Sequence, residues 1–485
     1  MKKTTYDFCL IILRLPVGHA KALANLVMAL SSYASSSVVG LSKSPLYHFQ
    51  YSSIADAIKH FAPTEASRKF VERFVARWCL KHLWQKQGHI LLATDKTHVR
   101  KPHSPTLEDR TLVAVPNCTV KGNKPLDVGF EYSFVNLLAD FSKGWSLPLM
   151  IDHIPKDQTP NQVGGAQIAS LMEDGGLPFA LEPLVVNTLD RGYGAMYLKS
   201  ATRFSNLVSI LNIRHGSKVY ARADGDGKQV FGQCYHLVGS TCDKDFKKHP
   251  KTKQGYTVHL RSVCELPPDQ SLAFLTTLKN GRAVIVALRR YNDLLWRTKQ
   301  GVKMADKPLD LVCVKVLDAK TMGPVWTRPM FVAAVGKKRH ELSLREIYED
   351  YLHRYDIEPQ FRFAKQKLFL EAFQTCVAQH LHNWMNIVML GLWLLFTARN
   401  VCPNQPEKWQ RYAERKKEGL FPNETHVLSI SQTRKSIQDL LLTFDQNPFL
   451  PIKSKPGTGR KRGQPQKIRN KFPYVKKVAA KARNP

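Results

Sequence analysis

The N-terminal part of the chain has apolar residues at helical spacing. From Ser67 to Gln85, large apolar side chains stand three or four positions apart, which predicts an amphipathic helix. The opposite face carries arginines and lysines and is either solvated or in contact with a polyanion. We therefore predict that residues 1–87 form a helical N-terminal region.

The pattern changes at Gly88, where apolar segments bounded by turn residues predict β-strands. Asp95 stands near the end of the first segment, and a later one ends at Asp190 before a glycine turn. A segment from Asn161 to Gly176 has helical spacing and ends in glycine. Strands interrupted by a helix are typical of an α/β layer with a mixed sheet, which we assign to residues 88–202. The predicted strands read HILLATDKTHV, TLVAVPNCTV, LDVGFEYSFVNLL, WSLPLMIDHI and PLVVNTLDRGYG.

The second half of the chain begins with strand-like segments and then returns to helical spacing. Residues 203–335 predict a β-rich insertion, because no clear helix interrupts most of this range. Residues 336–400 predict the last part of the α/β layer, and Ser343 and Glu346 have the spacing of a capping box there. Residues 401–452 predict a C-terminal helical region. The tail, residues 453–485, holds twelve Lys and Arg and no acid, which predicts a disordered basic arm.

A polar stripe marks the helical stretch after the β-rich block. Four residues are separated by offsets of 3, 7 and 14 positions: Tyr351, Arg354, Glu358 and Lys365. One continuous helix would place them within about 60° of one another. Pro359 disfavours helical backbone at Glu358, so the stripe spans a kink or two helices that meet there. A carboxylate among cations suits a phosphate-bearing ligand and a metal ion, whereas a surface helix with ordinary ion pairs is the alternative.

The charge of the chain indicates which partners it can bind. The sequence has 72 Lys and Arg against 39 Asp and Glu, a net charge of +33. This excess favours polyanions, with nucleic acid first and an anionic membrane surface second. Two apolar runs are too short to predict secretion or membrane insertion. The run Phe8–Leu13 ends at Arg14 and is too short for a signal peptide. The run Asn386–Asn400 is shorter than the ~20 residues that a helix needs to cross a bilayer. The second run predicts a buried core helix.

The cysteines predict a reduced protein. There are nine, they are scattered, and none forms a C-x-x-C pair, so a disulfide framework is not expected and a reducing cytoplasm fits. Cys234, His236, Cys242 and His249 lie near one another in sequence, but their spacing matches no closed zinc site.

Three acids form the candidate catalytic set: Asp95, Asp190 and Glu358. Carboxylates brought together repel one another unless they share divalent cations. Mg²⁺ prefers oxygen ligands, and two such ions about 3.5–4 Å apart activate a nucleophile and stabilise a leaving oxygen. An Asp at a strand end is more often a turn or cap residue, so each acid alone is unspecific.

The spacing Y-x2-R-x3-E-x6-K of the stripe resembles the signature of bacterial insertion-sequence DDE transposases. All four positions match, and LLATDKT around Asp95 and NTLDRGYG around Asp190 resemble the first two acidic motifs of that family. The separations between the acids, 95 and 168 residues, also agree with the family, whose relatives carry a β-stranded insertion in the longer interval. The resemblance covers roughly residues 88–400.

The resemblance implies an RNase H-like catalytic core and cut-and-paste transposition. Asp95, Asp190 and Glu358 would bind two Mg²⁺ ions, with Mn²⁺ as a substitute. Water would attack the phosphodiester at each element end and free a 3′-hydroxyl. In relatives, this hydroxyl then forms a hairpin that is reopened. The same hydroxyl would finally join target DNA. Arg354 and Lys365 would contact phosphates, and fixed cations there would offset charge on the transition state.

Further contacts and partners follow from the same resemblance. Tyr351 would hydrogen-bond a phosphate, Trp326 would stack on a flipped base with Trp296 as the rival, and Arg191 would touch DNA or cap a helix. The partners would be double-stranded terminal repeats and target DNA, held by a homodimer in a bacterial cytoplasm near the nucleoid. The alternatives are a degenerate transposase that only binds DNA, a metal-dependent nuclease without strand transfer, and a basic RNA-binding or structural protein.

Overall fold

The description of the fold rests on a computed structural model and covers most of the chain. The structure describes residues 7–8, 19–61, 66, 88–114, 126–140, 144–173, 183–190, 193, 203–223, 231–246, 254–278, 281–296, 308–403, 428–444, 463 and 469–475. The predicted helix from Ser67 to Gln85, the residues Arg191 and His249, and most of the basic tail lie outside these ranges.

A mixed sheet of 12 strands forms the centre of the fold. Its main path runs β2-β3-β1-β5-β6-β14-β13-β12-β7-β8, with β4 paired to β3 and β11 paired to β12. A separate pair, β9 and β10, completes the strands that the described part of the chain contains. The strands are β1 (His89–Arg100), β2 (Thr111–Ala114), β3 (Leu126–Asp140), β4 (Trp145–His153), β5 (Leu184–Leu189), β6 (Leu207–Asn212), β7 (Lys218–Arg222), β8 (Phe231–His236), β9 (Cys242–Phe246), β10 (Tyr256–Leu260), β11 (Gln270–Thr277), β12 (Ala283–Trp296), β13 (Leu309–Asp318) and β14 (Met330–Val335).

The register around β1 decides where the candidate acids lie. β1 pairs antiparallel with β3 and parallel with β5, and the parallel pairing ends at Thr94 opposite Leu189. Asp95 therefore lies one residue beyond the last parallel pair, in the middle of a long strand rather than near its end as the sequence pattern suggested. Asp190 follows the last residue of β5. The two acids thus stand side by side where β5 stops and β1 continues.

The β-rich block extends the central sheet. β6 falls inside residues 203–335, yet it pairs in parallel with β5 and so belongs to the parallel part of the sheet. β14 then pairs antiparallel with β6, and β13, β12 and β11 follow in order. Because the pairing is continuous, strands of the block are fixed relative to the strands that carry the acids.

The helices pack against the sheet and against one another. They are α1 (Ala20–Ser32), α2 (Ser52–Lys59), α3 (Pro160–Glu173), α4 (Leu344–His353), α5 (Ile357–Lys367), α6 (Ala378–Ala398) and α7 (Ile430–Phe444). α3 is fixed on β3, because the Ser133 hydroxyl donates to Gln167 Oε1 over 2.7 Å and Gln167 Nε2 donates to the Ser133 carbonyl over 3.1 Å.

The long apolar helix α6 is a core element. It has 21 residues, so by length and composition it could cross a membrane, and it is the one described helix that passes this test. Its most apolar stretch is nevertheless 94% buried inside the protein. The indole N–H groups of Trp384 and Trp393 donate to the carbonyls of Phe369 and Pro148 over 2.9 Å each, which ties α6 to its neighbours. The burial agrees with the predicted core helix, although the helix is longer than the apolar run.

The stripe-bearing stretch forms two helices joined by a short 3₁₀ turn, Arg354–Asp356. α4 begins with the predicted capping box, in which Ser343 and Glu346 satisfy each other's backbone N–H groups. Pro359 is the third residue of α5. The first N–H groups of a helix have no intrahelical acceptor, so proline costs no hydrogen bond at this position.

Part of the basic tail contacts the body of the protein. The N–H groups of Phe472 and Val475 donate to the carbonyls of Pro105 and Arg110 over 2.8 Å each. The Arg110 guanidinium in turn donates to the Phe472 carbonyl over 2.9 Å. Residues 469–475 therefore follow the loop before β2, which a wholly disordered arm would not do.

A buried ion-pair network fixes the start of α4 against the β-rich block. The carboxylate of Asp310 on β13 is fully buried and contacts Arg290 Nη2 on β12 at 2.5 Å and Arg339 Nε at 2.8 Å. Arg290 also donates to the carbonyls of Arg339 and Leu342, over 2.9 and 2.8 Å. These contacts join two strands to the turn that precedes Ser343.

We expect Asp310→Asn to lower the free energy of unfolding by about 3–5 kcal/mol, because it leaves the buried Arg290 without its counter-charge and Arg339 with Asp293 alone. Chemical denaturation measures this loss. Glu341→Gln is the matched control, since the Lys338–Glu341 pair is exposed and its loss costs about 0.5 kcal/mol or less. Equal losses for the two variants would contradict the assigned role of the network.

Candidate active site

Asp95 is a nearly buried carboxylate on the central strand. Its side chain is 18% exposed, and its Oδ1 accepts the N–H of Lys96 over 2.7 Å. Its cross-strand partner is Phe134, whose ring packs at 4.9 Å against that of Phe361 on α5. The apolar ring pair explains why water has little access to this acid.

Asp190 lies beside Asp95 but is more open. Its side chain is 45% exposed at the end of β5. β5 is buried along Val185–Leu189, so the chain leaves the core at this acid. β5 ends at the surface while its neighbour β1 continues, so the exposed carboxylate of Asp190 lies next to the nearly buried carboxylate of Asp95.

Arg354 joins the two acids. Its guanidinium lies 3.5 Å from Asp95 Oδ2 and 3.7 Å from Asp190 Oδ1, although the side chain is only 7% exposed. The cation also stands over the rings of Tyr355 and Tyr351, at 4.4 and 5.6 Å from their centroids. Burial by itself lowers the pKa of Arg354, but the nearby phenols and both carboxylates raise it, so the guanidinium stays charged.

The pKa of Asp95 is raised to about 6. Burial is the main cause, and the negative charges of Asp190 and Glu358 add to it. The Arg354 charge and the Lys96 N–H oppose the shift without cancelling it. The carboxylate is therefore ionised at neutral pH but is held in an environment that favours a second positive charge.

Glu358 approaches the same acids from the helix side. It is an exposed residue in the first turn of α5, three positions before Phe361. Residues three apart share one side of a helix, and Phe361 packs on the cross-strand partner of Asp95. Its charge accordingly contributes to the pKa of Asp95. Among the described residues, the three carboxylates do not form a group whose ligand atoms all lie within 4.8 Å of one another.

The other sequence-derived candidates occupy different settings. Tyr351 is 2% exposed in the core, where it takes part in side-chain hydrogen bonds with Arg354 and Asn212. Lys365 is half-buried two turns after Glu358 on α5. Trp326 is 50% exposed between β13 and β14, whereas Trp296 is partly buried against the core. Arg191 lies outside the described residues, and none of these roles is decided by the placement alone.

A second acidic group lies apart from these residues. Within the described ranges, Asp293, Asp310 and His340 are the three side chains whose ligand atoms fall within 4.8 Å of one another. Asp310 is already bound by Arg290 and Arg339, and Asp293 pairs with Arg339. Two guanidinium groups neutralise the two carboxylates, so the group is better explained as an ion-pair network than as a metal centre. Its residues lie far apart in sequence and carry no motif that would have predicted the cluster.

Comparison with known proteins finds a family whose model matches the part of the chain that holds the first two acids. The sequence model of a family described as DDE superfamily endonuclease matches residues 17–228, a range that includes Asp95 and Asp190 but ends before Glu358. No curated protein matches the chain. Among solved structures, the chain is similar to a piggyBac transposase synaptic complex with hairpin DNA, seen by cryo-electron microscopy. The TM-score is 0.33 at 9% identity, over 93% of this chain and 73% of that one.

The match supports an endonuclease of the DDE type for the region that it covers. That region holds β1 and β5 and the junction where Asp95 and Asp190 meet. The mixed sheet with helices is consistent with such a nuclease fold.

We expect Asp95→Asn to stabilise the protein above pH 6 by an amount on the order of 1–3 kcal/mol, because it removes a carboxylate that burial disfavours. The folded protein holds the Asp95 proton more tightly than the unfolded chain does. The gain should therefore be complete above the raised pKa of about 6, shrink as the pH falls, and vanish near the ordinary value of 3.8.

Denaturant unfolding over this pH range checks the expectation. Asp109→Asn is the matched control, since Asp109 is half-exposed in a surface pair with Lys156 and should show little change. A pH-independent difference between Asp95→Asn and the native chain would show that burial of the charge is not its cause.

Proposed function

We propose that the chain is a DNA transposase that cuts phosphodiester bonds at the ends of its element and joins the freed 3′-hydroxyls to target DNA. One observation carries the proposal: Arg354 bridges Asp95 and Asp190 at adjoining strand positions, while the charge of Glu358 on α5 acts on Asp95. The resemblance carried by the Tyr-Arg-Glu-Lys spacing implies the same three acids as the catalytic set. The order β4-β3-β1-β5-β6, with antiparallel pairing first and parallel pairing last, supports an RNase H-like core.

The three acids fit divalent metal by their chemistry. Carboxylate oxygens are the ligands that Mg²⁺ and Mn²⁺ prefer, and Asp95 sits where added positive charge relieves an unfavourable burial. Asp95, Asp190 and Glu358 would hold the ions, two in our proposal. Divalent ions in such a site supply a water nucleophile at neutral pH and stabilise the leaving oxygen.

The cations of the stripe would position the DNA. Arg354 Nε is buried and has no hydrogen-bond partner among the described residues, so the side chain would have to move before this N–H could donate to a phosphate oxygen. Tyr351 has a cation–π contact with Arg354 and would orient it from the core side. A direct contact of Tyr351 with DNA stays a prediction. Lys365 would contact a phosphate further along the strand and so help to hold the DNA in position.

The exposure of the two tryptophans favours Trp326 for base stacking. Half of its surface is accessible, and it lies in the connection between β13 and β14. Trp296 packs against core residues and would have to leave them to meet a base. Stacking on an aromatic ring contributes about 1–3 kcal/mol per base, which would help to hold one base flipped out of the DNA at the element end.

The partners follow from the charge and the chemistry. The net charge of +33 favours duplex DNA, both the terminal repeats and the target. Two ends must be handled together, so we propose a homodimer on paired ends in a bacterial cytoplasm. A nuclease without strand transfer would share the acids and differ only in the joining step.

We expect Asp95→Asn, Asp190→Asn and Glu358→Gln each to reduce end cleavage by about 10²-fold or more, because each removes a ligand from the metal set. The assay uses a plasmid that carries the element's own ends, with Mg²⁺, Mn²⁺ or a chelator. DNA binding by the variants should stay close to that of the native chain.

Asp293→Asn is the control for this assay, because it alters the acidic group that we assign to structure. Normal cutting by a variant of the proposed triad, or loss of cutting in Asp293→Asn alone, would overturn the assignment. Cleavage of the ends without joined products would indicate a nuclease without strand transfer and not a transposase.

A further inference from the structure

A cavity lined by two basic and two acidic side chains lies at the far end of β1, beyond the acids. Its volume is about 380 Å³. The charged side chains that line it are Arg100 from β1, Lys365 from α5, Asp127 from β3 and Glu371 from the segment after α5. Pro102 and Ala372 complete the wall. The catalytic proposal uses only Lys365 of this set.

The length of β1 creates the cavity. β1 continues for six residues after its parallel pairing with β5 has ended at Thr94, so its edge on that side is open to another partner. The Glu371 side chain binds at this open edge of β1. Its Oε1 accepts the backbone N–H of Arg100 over 3.1 Å and the Arg100 Nε–H over 2.9 Å.

A buried lysine holds the segment in position. Lys101 is 2% exposed, and its ammonium donates to the carbonyls of Glu371 and Phe373 over 2.6 and 2.7 Å. This contact does not involve the Glu371 carboxylate. The segment therefore stays fixed to β1 whether or not that carboxylate keeps its ion pair.

Glu371 is the shared counter-charge of two cations. It pairs directly with Arg100, whose guanidinium is 48% exposed, and its charge also acts on Lys365. Burial lowers the pKa of Lys365, Arg100 lowers it further, and Glu371 opposes both. Arg100 and Lys365 thus line the same cavity as the carboxylate that pairs with Arg100, and a phosphate anion can take the place of that carboxylate.

We propose that Arg100 and Lys365 form a DNA-phosphate site, and that Glu371 occupies it as an internal competitor until the backbone phosphate displaces the carboxylate from Arg100. The proposal rests on the proposed function, because it presumes that DNA is cut at the acids. The planar Arg fork binds phosphate through two hydrogen bonds, and the Arg100 side chain is open enough to turn toward a ligand.

The distance from the acids suits a DNA strand. Lys365 is seven residues after Glu358 on α5, about 10 Å along the helix. Arg100 is five residues after Asp95 on β1, about 17 Å along the strand. Both elements lead from the acids to the cavity. A strand with its scissile phosphate at the acids would pass the cavity within a few nucleotides, at about 3.4 Å of rise per nucleotide.

The test measures binding of a short fluorescent duplex DNA of arbitrary sequence, with chelator present so that no cutting occurs. Affinity is followed across a salt series. Arg100→Gln should reduce the slope of log K against log salt by about 0.9, the loss of one phosphate contact. Arg100→Lys should keep most of the slope. Glu371→Gln should bind about 2- to 5-fold more tightly, because it removes the competitor while its amide oxygen can still accept the Arg100 N–H.

A matched ion pair on α4 supplies the controls. Arg345 Nε and Glu349 Oε1 lie 2.7 Å apart on the exposed face of that helix. Arg345→Gln and Glu349→Gln make the same changes in net charge and should shift affinity and slope far less. Equal effects of Glu371→Gln and Glu349→Gln would overturn the site, since they would reflect net charge alone.

The outcomes separate this inference from the proposed function. If the native chain binds DNA with a steep salt dependence but Arg100→Gln leaves the slope unchanged, the cavity is not a phosphate site and the transposase proposal stands. If the native chain shows no binding to DNA, both fail. If the Arg100→Gln variant does not fold, the DNA affinity of Glu371→Gln still tests the inference. Tighter binding by Glu371→Gln supports the phosphate site, and unchanged binding contradicts it.

Discussion

The contact of Arg354 with Asp95 and Asp190 is the interaction on which the account depends. Two carboxylates at adjacent strand positions repel each other, and one of them is nearly buried. The guanidinium offsets this repulsion and does so from the turn between α4 and α5, so it also fixes the helix that carries Glu358. The offset is incomplete, since the pKa of Asp95 remains raised. In the proposed function, the remaining unfavourable charge on Asp95 would favour binding of a further cation.

The position of that turn depends on contacts far from the acids. The Arg290–Asp310–Arg339 network holds the start of α4 against β12 and β13. At the other end, Lys101 holds the segment after α5 against the end of β1. The β-rich block and the open end of β1 therefore set the position of Glu358 from two sides. Because the sheet is continuous from β1 to β12, a shift in the block would reach the acids through β6 and β14.

Local patterns were enough to predict several parts of the site. The capping box at Ser343 is confirmed, because it depends on residues three positions apart. The interruption near Pro359 was expected, and it is realised as a 3₁₀ turn before α5. Strands at β1 and β5 were predicted from their apolar runs, and helix α3 from its spacing.

The remaining features depend on pairing between distant segments. Asp95 was expected near a strand end, but pairing with β3 carries β1 on to Arg100. β6 looked like part of the β-rich block, and only its register with β5 shows otherwise. The ion pair between Arg100 and Glu371 joins residues 271 positions apart, and no local pattern marks such a contact.

The most direct test of the central claim is to locate Mn²⁺ by anomalous diffraction from crystals of the protein. The account predicts an anomalous peak in contact with Asp95 and Asp190, which disappears in crystals of Asp95→Asn. It also predicts no peak at Asp293 and Asp310, where arginines already neutralise the carboxylates. A peak at Asp310, or a peak between the strands that persists in Asp95→Asn, would contradict the account.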